Sequence, residues 1–101
     1  LKKYVSRVNL VHCKDIRKDI LYKSLSNDLS FRDSFLEGVF TVPGDGYINY
    51  KPLFETLYDN KYSKWLIVEA EQDPKKANPL KYAKIGYKYL NRILTEVGYK
   101  I

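Results

Sequence analysis

The chain has 101 residues, 45% of them hydrophobic and 30% charged, with 18 Lys and Arg against 12 Asp and Glu and a formal net charge of +6. This composition suits one small domain with a packed core and argues against wholesale disorder, and no stretch approaches the roughly 20 apolar residues that cross a bilayer. The basic residues are mostly Lys, scattered and broken by acids, as where Lys75-Lys76 stands close to Asp73; without an Arg-rich stripe they read as a solvated surface and not as a nucleic-acid footprint.

The start, Leu1-Lys2-Lys3-Tyr4, shows neither an initiator Met nor the apolar run of a signal peptide, so an internal start is expected. The first predicted element is the strand Val8-Asn9-Leu10-Val11-His12-Cys13, apolar on both alternating faces, as in a parallel sheet covered on both sides. Its single cysteine, Cys13, excludes an internal disulfide framework and fits a reducing cytoplasm. A long polar stretch from Lys14 to about Phe40 carries Ile16, Ile20, Leu21 and Leu25 at roughly helical spacing. Thr41-Val42-Pro43-Gly44-Asp45-Gly46 is a turn-rich loop.

Asn49 is placed to cap a helix with Pro52 in its first turn and Leu53, Phe54, Leu57 and Tyr58 on its apolar face, ended by Asp59-Asn60. A second strand, Trp65-Leu66-Ile67-Val68-Glu69-Ala70, is again apolar on both faces until its end. After the loop Glu71 to Ala77, Asn78-Pro79 gives an N-cap followed by proline at the first helical position. Leu80, Ala83, Tyr87, Leu90, Leu94 and Val97 then mark a long amphipathic helix. The order is strand, helix, strand, helix. Two parallel strands with a crossover need further strands and cover. A whole barrel of this type takes about 250 residues, so this chain supplies two of its units. Alone, it is expected to expose sheet edges and an apolar face, and to self-associate into homo-oligomers.

Polar residues gather where each strand gives way to its loop: His12, Lys14 and Asp15 after the first, Glu69, Glu71, Gln72 and Asp73 after the second. Period-two alternation puts Leu10, His12 and Lys14 on one face, and Trp65, Ile67, Glu69 and Glu71 on one face. If these faces point into a barrel, His12 and Glu69 meet at its C-terminal mouth, where barrel enzymes keep their active sites. An imidazole and a carboxylate suit a divalent Mn, Co or Zn ion; the alternative is a hydrogen-bonded core histidine beside a solvated strand end. The Val42–Gly46 loop either presents backbone N–H groups to a substrate oxygen or is a tight turn that needs glycine. Arg17 either grips a substrate oxygen or is an exposed arginine. Cys13 points away from His12 and reads as packing, not as a nucleophile. The tyrosines, interleaved with lysine, read as amphipathic cover.

Three stretches, "VHCKDIRKDIL", "FTVPGDGYINYKPLFETL" and "YSKWLIVEAEQDPKKANPLKYAKIGYKYL", resemble in order and spacing the last part of the inosose dehydratases, members of the xylose-isomerase-like sugar isomerase and epimerase barrels. The resemblance runs from about Val8 to Leu90. It implies an α/β fold, with residues 1–101 as the C-terminal β-α-β-α quarter of a TIM (β/α)8 barrel, holding strands seven and eight. It implies one divalent metal held by Glu, Asp, His and Glu, with His12 matching the third ligand and Glu69 the fourth, and Arg17 near the substrate. It implies a lyase that removes water from 2-keto-myo-inositol in inositol catabolism, with manganese or cobalt as metal and glutathione as an associated cofactor. Glu69 and Glu71 are the candidate catalytic acid and base, and Lys14 and Arg17 the candidate substrate-binding residues for a polyol ketone. The piece alone is expected to be inactive. A related sugar isomerase or epimerase, and a stand-alone basic binding module, are the competing readings.

Overall fold

In a computed structural model describing all of Leu1–Ile101, a single 3-10 turn at Val5–Arg7 leads into β1 (Leu10–Cys13), β2 (Asp15–Ile16), α1 (Lys18–Ser26), α2 (Phe31–Glu37), β3 (Phe40–Thr41), α3 (Lys51–Asp59), β4 (Trp65–Val68) and α4 (Pro79–Val97). β1 and β4 pair in parallel, with Leu10 opposite Trp65, His12 opposite Ile67 and Cys13 opposite Val68. The long polar stretch is not one helix: β2 pairs antiparallel with β3, Asp15 opposite Thr41, and α1 and α2 fill the interval between them. Ile16 therefore sits in a strand, not on the helical stripe of Ile20, Leu21 and Leu25. Ser30 starts α2 by accepting the Asp33 N–H at 3.1 Å, and Gly38 ends it at a φ of 89°.

The core lies on one side of the parallel pair. Val11, Cys13, Leu66 and Val68 face Phe54, Leu57, Leu90, Ile93 and Leu94 from α3 and α4. α4 comes close because Gly86 has no side chain: a Cβ there would lie 2.8 Å from Val68 Cγ1 and 3.2 Å from Val42 Cβ. The opposite side of the pair carries Leu10, Trp65 and Ile67, which stay exposed. The half-covered apolar face expected of this piece alone is thus present, and the second cover that the apolar pattern anticipates is not supplied within the chain. Both helices pack on one face, and nothing in the chain reaches the other.

The cap at Asn78-Pro79 forms as the sequence predicts, with Asn78 Oδ1 accepting the Lys81 N–H at 3.0 Å. The buried stripe of α4, however, runs through Gly86, Leu90, Ile93 and Leu94, while Leu80 and Tyr87 point to solvent. Leu80, Ala83 and Tyr87 begin a stripe rotated away from the face that meets β4. α3 likewise starts one residue later than its predicted cap implies: Tyr50 is the N-cap, and Asn49 Oδ1 accepts from the Lys51 N–H at 3.2 Å. No helix is long and apolar enough to cross a membrane.

Tyr50 ties the two halves together. Its ring stacks on Phe54 at 5.3 Å, and its hydroxyl donates to the Lys14 carbonyl. Burial pushes that hydroxyl up to about 12. The fold therefore favours the neutral phenol: its contribution to stability is complete below the ordinary value near 10 and is lost as pH rises through about 12. An ultraviolet titration should show Tyr50→Phe deleting the last tyrosine to ionise, with the earlier part of the curve unchanged; loss of amplitude near the ordinary tyrosine range instead would contradict this placement.

Candidate active site at the strand ends

Side chains alternate across a strand, so Lys14 follows Leu10 and His12 on the uncovered face of β1. The register that sets His12 opposite Ile67 brings Glu69, two residues further on, to the same face. The pairing continues past β4, where the Glu69 N–H donates to the Cys13 carbonyl at 3.0 Å. His12 Nδ1 then lies 2.6 Å from Glu69 Oε2. Lys14 Nζ bridges two carboxylates, 3.2 Å from Glu69 Oε1 and 2.8 Å from Glu71 Oε1, and sits 5.0 Å over the Phe40 ring. Four of the predicted site residues, His12, Lys14, Glu69 and Glu71, form this one cluster.

Its electrostatics follow from the contacts. The His12 hydrogen bond, and then that of Lys14, hold the Glu69 carboxyl down at about 2. Lys14 is raised, chiefly by its hydrogen bond to Glu71, with burial opposing. Since Glu69 is a carboxylate, the bridging proton sits on His12 Nδ1, and in a neutral ring Nε2 then keeps its free lone pair. The atoms sharing that proton are donors a divalent cation can take in its place, so His12 and Glu69 fit as two ligands. No group of three or more His, Cys, Asp or Glu side chains converges in this chain, so any further ligands would come from outside it.

Arg17 stands apart from the cluster. Its guanidinium donates to the Gly38 carbonyl at 2.8 Å, the Phe40 carbonyl at 3.1 Å and Asp45 Oδ2 at 2.9 Å, and it lies 5.6 Å over the Tyr82 ring. In this arrangement its donors hold the end of α2 to the following loop. Within that loop Gly44 adopts a φ of 96° and the Asp45 N–H donates to Val42 at 3.1 Å, the geometry of a tight turn. Cys13 is fully buried, and burial pushes its thiol up to about 11, consistent with packing.

Asp15, noted in the sequence at the end of the first strand but given no role there, has a distinct place in the structure. It is 1% exposed, and its Oδ1 accepts the N–H groups of Ile16, Tyr47 and Ile48. The same alternation that put His12 and Lys14 on one face puts Val11, Cys13 and Asp15 on the other. An acid on the core side was therefore a legible signal.

The profile of the family described as "Xylose isomerase-like TIM barrel" matches residues 2–99. The chain belongs to that family. Among curated relatives, it is similar to the rhizopine catabolism protein MocC of Rhizobium meliloti, 46% identical over 99 residues, covering 98% of this chain and 30% of the relative. It is 51% identical over 96 residues to the inosose dehydratase of Mesomycoplasma hyopneumoniae (strain 7448), covering 94% of this chain and 32% of the relative. The inosose dehydratase of Clostridium botulinum (strain Eklund 17B / Type B) is 52% identical over 90 residues, covering 89% of this chain and 30% of the relative. The resemblance to inosose dehydratases read from the three sequence stretches is thereby established, and the chain spans about a third of the length of these relatives. In a xylose isomerase-like barrel the ends of parallel strands line the mouth, and it is at such ends that the His12–Lys14–Glu69–Glu71 cluster stands.

Proposed function

We propose that this segment serves as the last quarter of a cytoplasmic barrel lyase, with β1 and β4 as its strands seven and eight, that removes water from 2-keto-myo-inositol to give a trihydroxycyclohexane-1,2-dione. The observation that carries this reading is the 2.6 Å contact of His12 with Glu69 across parallel strand ends, in a chain whose relatives include inosose dehydratases. Dehydration next to a ketone requires loss of the adjacent proton and departure of the β-hydroxyl with a proton. Glu69 and Glu71 are the carboxylates at hand to move these protons. Lys14, between them, holds both in place and offers N–H donors to a polyol oxygen. His12 and Glu69 would hold a manganese or cobalt ion together with ligands from preceding strands; when bound, that ion supplies a Lewis acid for the ketone oxygen.

The test is complementation. The chain is mixed with the first two thirds of the M. hyopneumoniae inosose dehydratase, and 2-keto-myo-inositol is supplied with manganese. Dione formation by the mixture, with none by the 101-residue chain alone, is the expected result. Turnover by the chain alone, or turnover of ketoses in place of the cyclic ketone, would overturn it.

The uncovered face carries a prediction of its own. Leu10, Trp65 and Ile67 are 47%, 74% and 38% exposed on one side of an unfinished sheet. The chain by itself is expected to sediment as a dimer or larger, and Trp65→Lys to shift it to monomer; a monodisperse unmodified monomer at tens of micromolar would show that this face needs no cover.

A further inference from the structure

Asp15 has no part in the reaction above, yet it is a buried acid, only 1% exposed. Its Oδ1 accepts three backbone N–H groups, from Ile16 at 2.7 Å, Tyr47 at 2.9 Å and Ile48 at 3.0 Å, while Oδ2 is buried without a partner. The carboxylate thus spends one oxygen on anchoring a loop 32 residues away in sequence. Gly46 lies flat against it: a Cβ at that position would fall 2.3 Å from Asp15 Cγ. Two residues beyond Ile48, the Tyr50 hydroxyl donates to the Lys14 carbonyl. Lys14 is therefore held from two directions, by its peptide bond to Asp15 and by the end of the loop that Asp15 anchors. Its ammonium is the group that bridges Glu69 and Glu71.

We propose that Asp15 is a positioning residue for the strand-end cluster: by clamping the Gly46–Ile48 backbone it fixes Lys14 between Glu69 and Glu71. The effect on turnover rests on the dehydratase reading; the effect on Lys14 does not.

Two substitutions reach the clamp from opposite sides. Asp15→Ala removes the anchor, whereas Gly46→Ala keeps the carboxylate and drives a methyl group into it. Asp15→Asn retains an oxygen at the anchor point and serves as the conservative rescue. In the 101-residue chain, acylation of Lys14 by an N-hydroxysuccinimide ester is followed by peptide mass mapping, with Lys84 on the exposed side of α4 as internal reference, and amide exchange is followed at Tyr47, Ile48 and Glu69. Asp15→Ala and Gly46→Ala are each expected to speed Lys14 acylation about fivefold or more relative to Lys84 and to open the Tyr47 and Ile48 amides while Glu69 stays protected. Asp15→Asn should change Lys14 labelling by less than about twofold. In the complemented enzyme the first two variants should lose about tenfold or more in kcat with KM moving less than about threefold, as misplacement of a reacting group predicts.

Opened loop amides with unchanged Lys14 labelling and kcat would make Asp15 a structural anchor alone and overturn the proposal. If Asp15→Ala fails to fold, Gly46→Ala decides by the same criteria. A complemented wild type that labels as expected but does not dehydrate the ketone overturns the function reading and leaves the clamp standing.

Discussion

Replacing Glu69 with alanine is expected to lower kcat/KM of the complemented enzyme by about 10²–10⁴-fold, the range observed for loss of a positioned proton-transfer group. The effect should be large because Glu69 serves two neighbours at once, accepting hydrogen bonds from His12 Nδ1 at 2.6 Å and from the Lys14 ammonium at 3.2 Å. Its removal takes away one of the two proposed metal donors and leaves the imidazole free to turn; loss of an orienting partner alone typically costs about 10–100-fold in metal affinity or activity. Glu71→Gln touches the cluster only through Lys14 and should cost about tenfold. Steady-state kinetics combined with manganese titration by electron paramagnetic resonance separate the roles. A Glu69→Ala enzyme within about threefold of wild type would remove Glu69 from the chemistry, and an unchanged manganese affinity would remove it from the ligand set.

Phe54→Ala is the substitution expected to harm stability most. Phe54 is 1% exposed, packed on Tyr50 and surrounded by residues from both strands and from α4. Truncating a core phenylalanine costs about 3–5 kcal/mol, part for the lost transfer of apolar surface and part for the cavity left behind. Domains of this size hold about 5–15 kcal/mol in total, so the variant should unfold at a much lower urea concentration or be largely unfolded at the outset. Trp65→Ala is the instructive contrast. Trp65 is larger, but 74% exposed on the uncovered face, and at a dilution that keeps the chain monomeric its loss should move the urea midpoint little. Equal midpoint shifts for the two variants at that dilution would mean that Trp65 is packed within the monomer itself.

The sequence announced those parts of the fold that rest on local rules. Asn78-Pro79 marks the start of α4 because a side-chain acceptor and a fixed φ are both needed there. The apolar run Trp65–Val68 marks β4 because its residue types favour a pleated surface. The strand-end cluster was legible for a similar reason, since alternation alone puts His12, Lys14, Glu69 and Glu71 on matching faces. What local pattern could not supply was tertiary pairing. The two-residue strands Asp15–Ile16 and Phe40–Thr41 have too few residues to show a period, and each acquires its conformation from the other. Leu80 and Tyr87 fit a helical stripe, but which stripe is buried depends on where Gly86 lets the helix approach Val68. For Arg17 the local pattern leaves a substrate contact and an exposed arginine equally open, because nothing local reveals that the Gly38 and Phe40 carbonyls and Asp45 are within its reach.

The parallel pairing of β1 with β4 also bears on the order of events as the chain acquires its structure. His12 and Glu69 are 57 residues apart in sequence, and closing a loop of that length costs about 4 kcal/mol of chain entropy before any contact is gained. α3 and α4, built from near neighbours, can assemble ahead of that closure, whereas the strand pair cannot exist until it is complete. During synthesis from the N-terminus, His12 must wait without its partner until about two thirds of the 101-residue chain has emerged. The 2.6 Å contact is thus expected to form late, so that a probe placed on it should report arrival at the native topology rather than collapse.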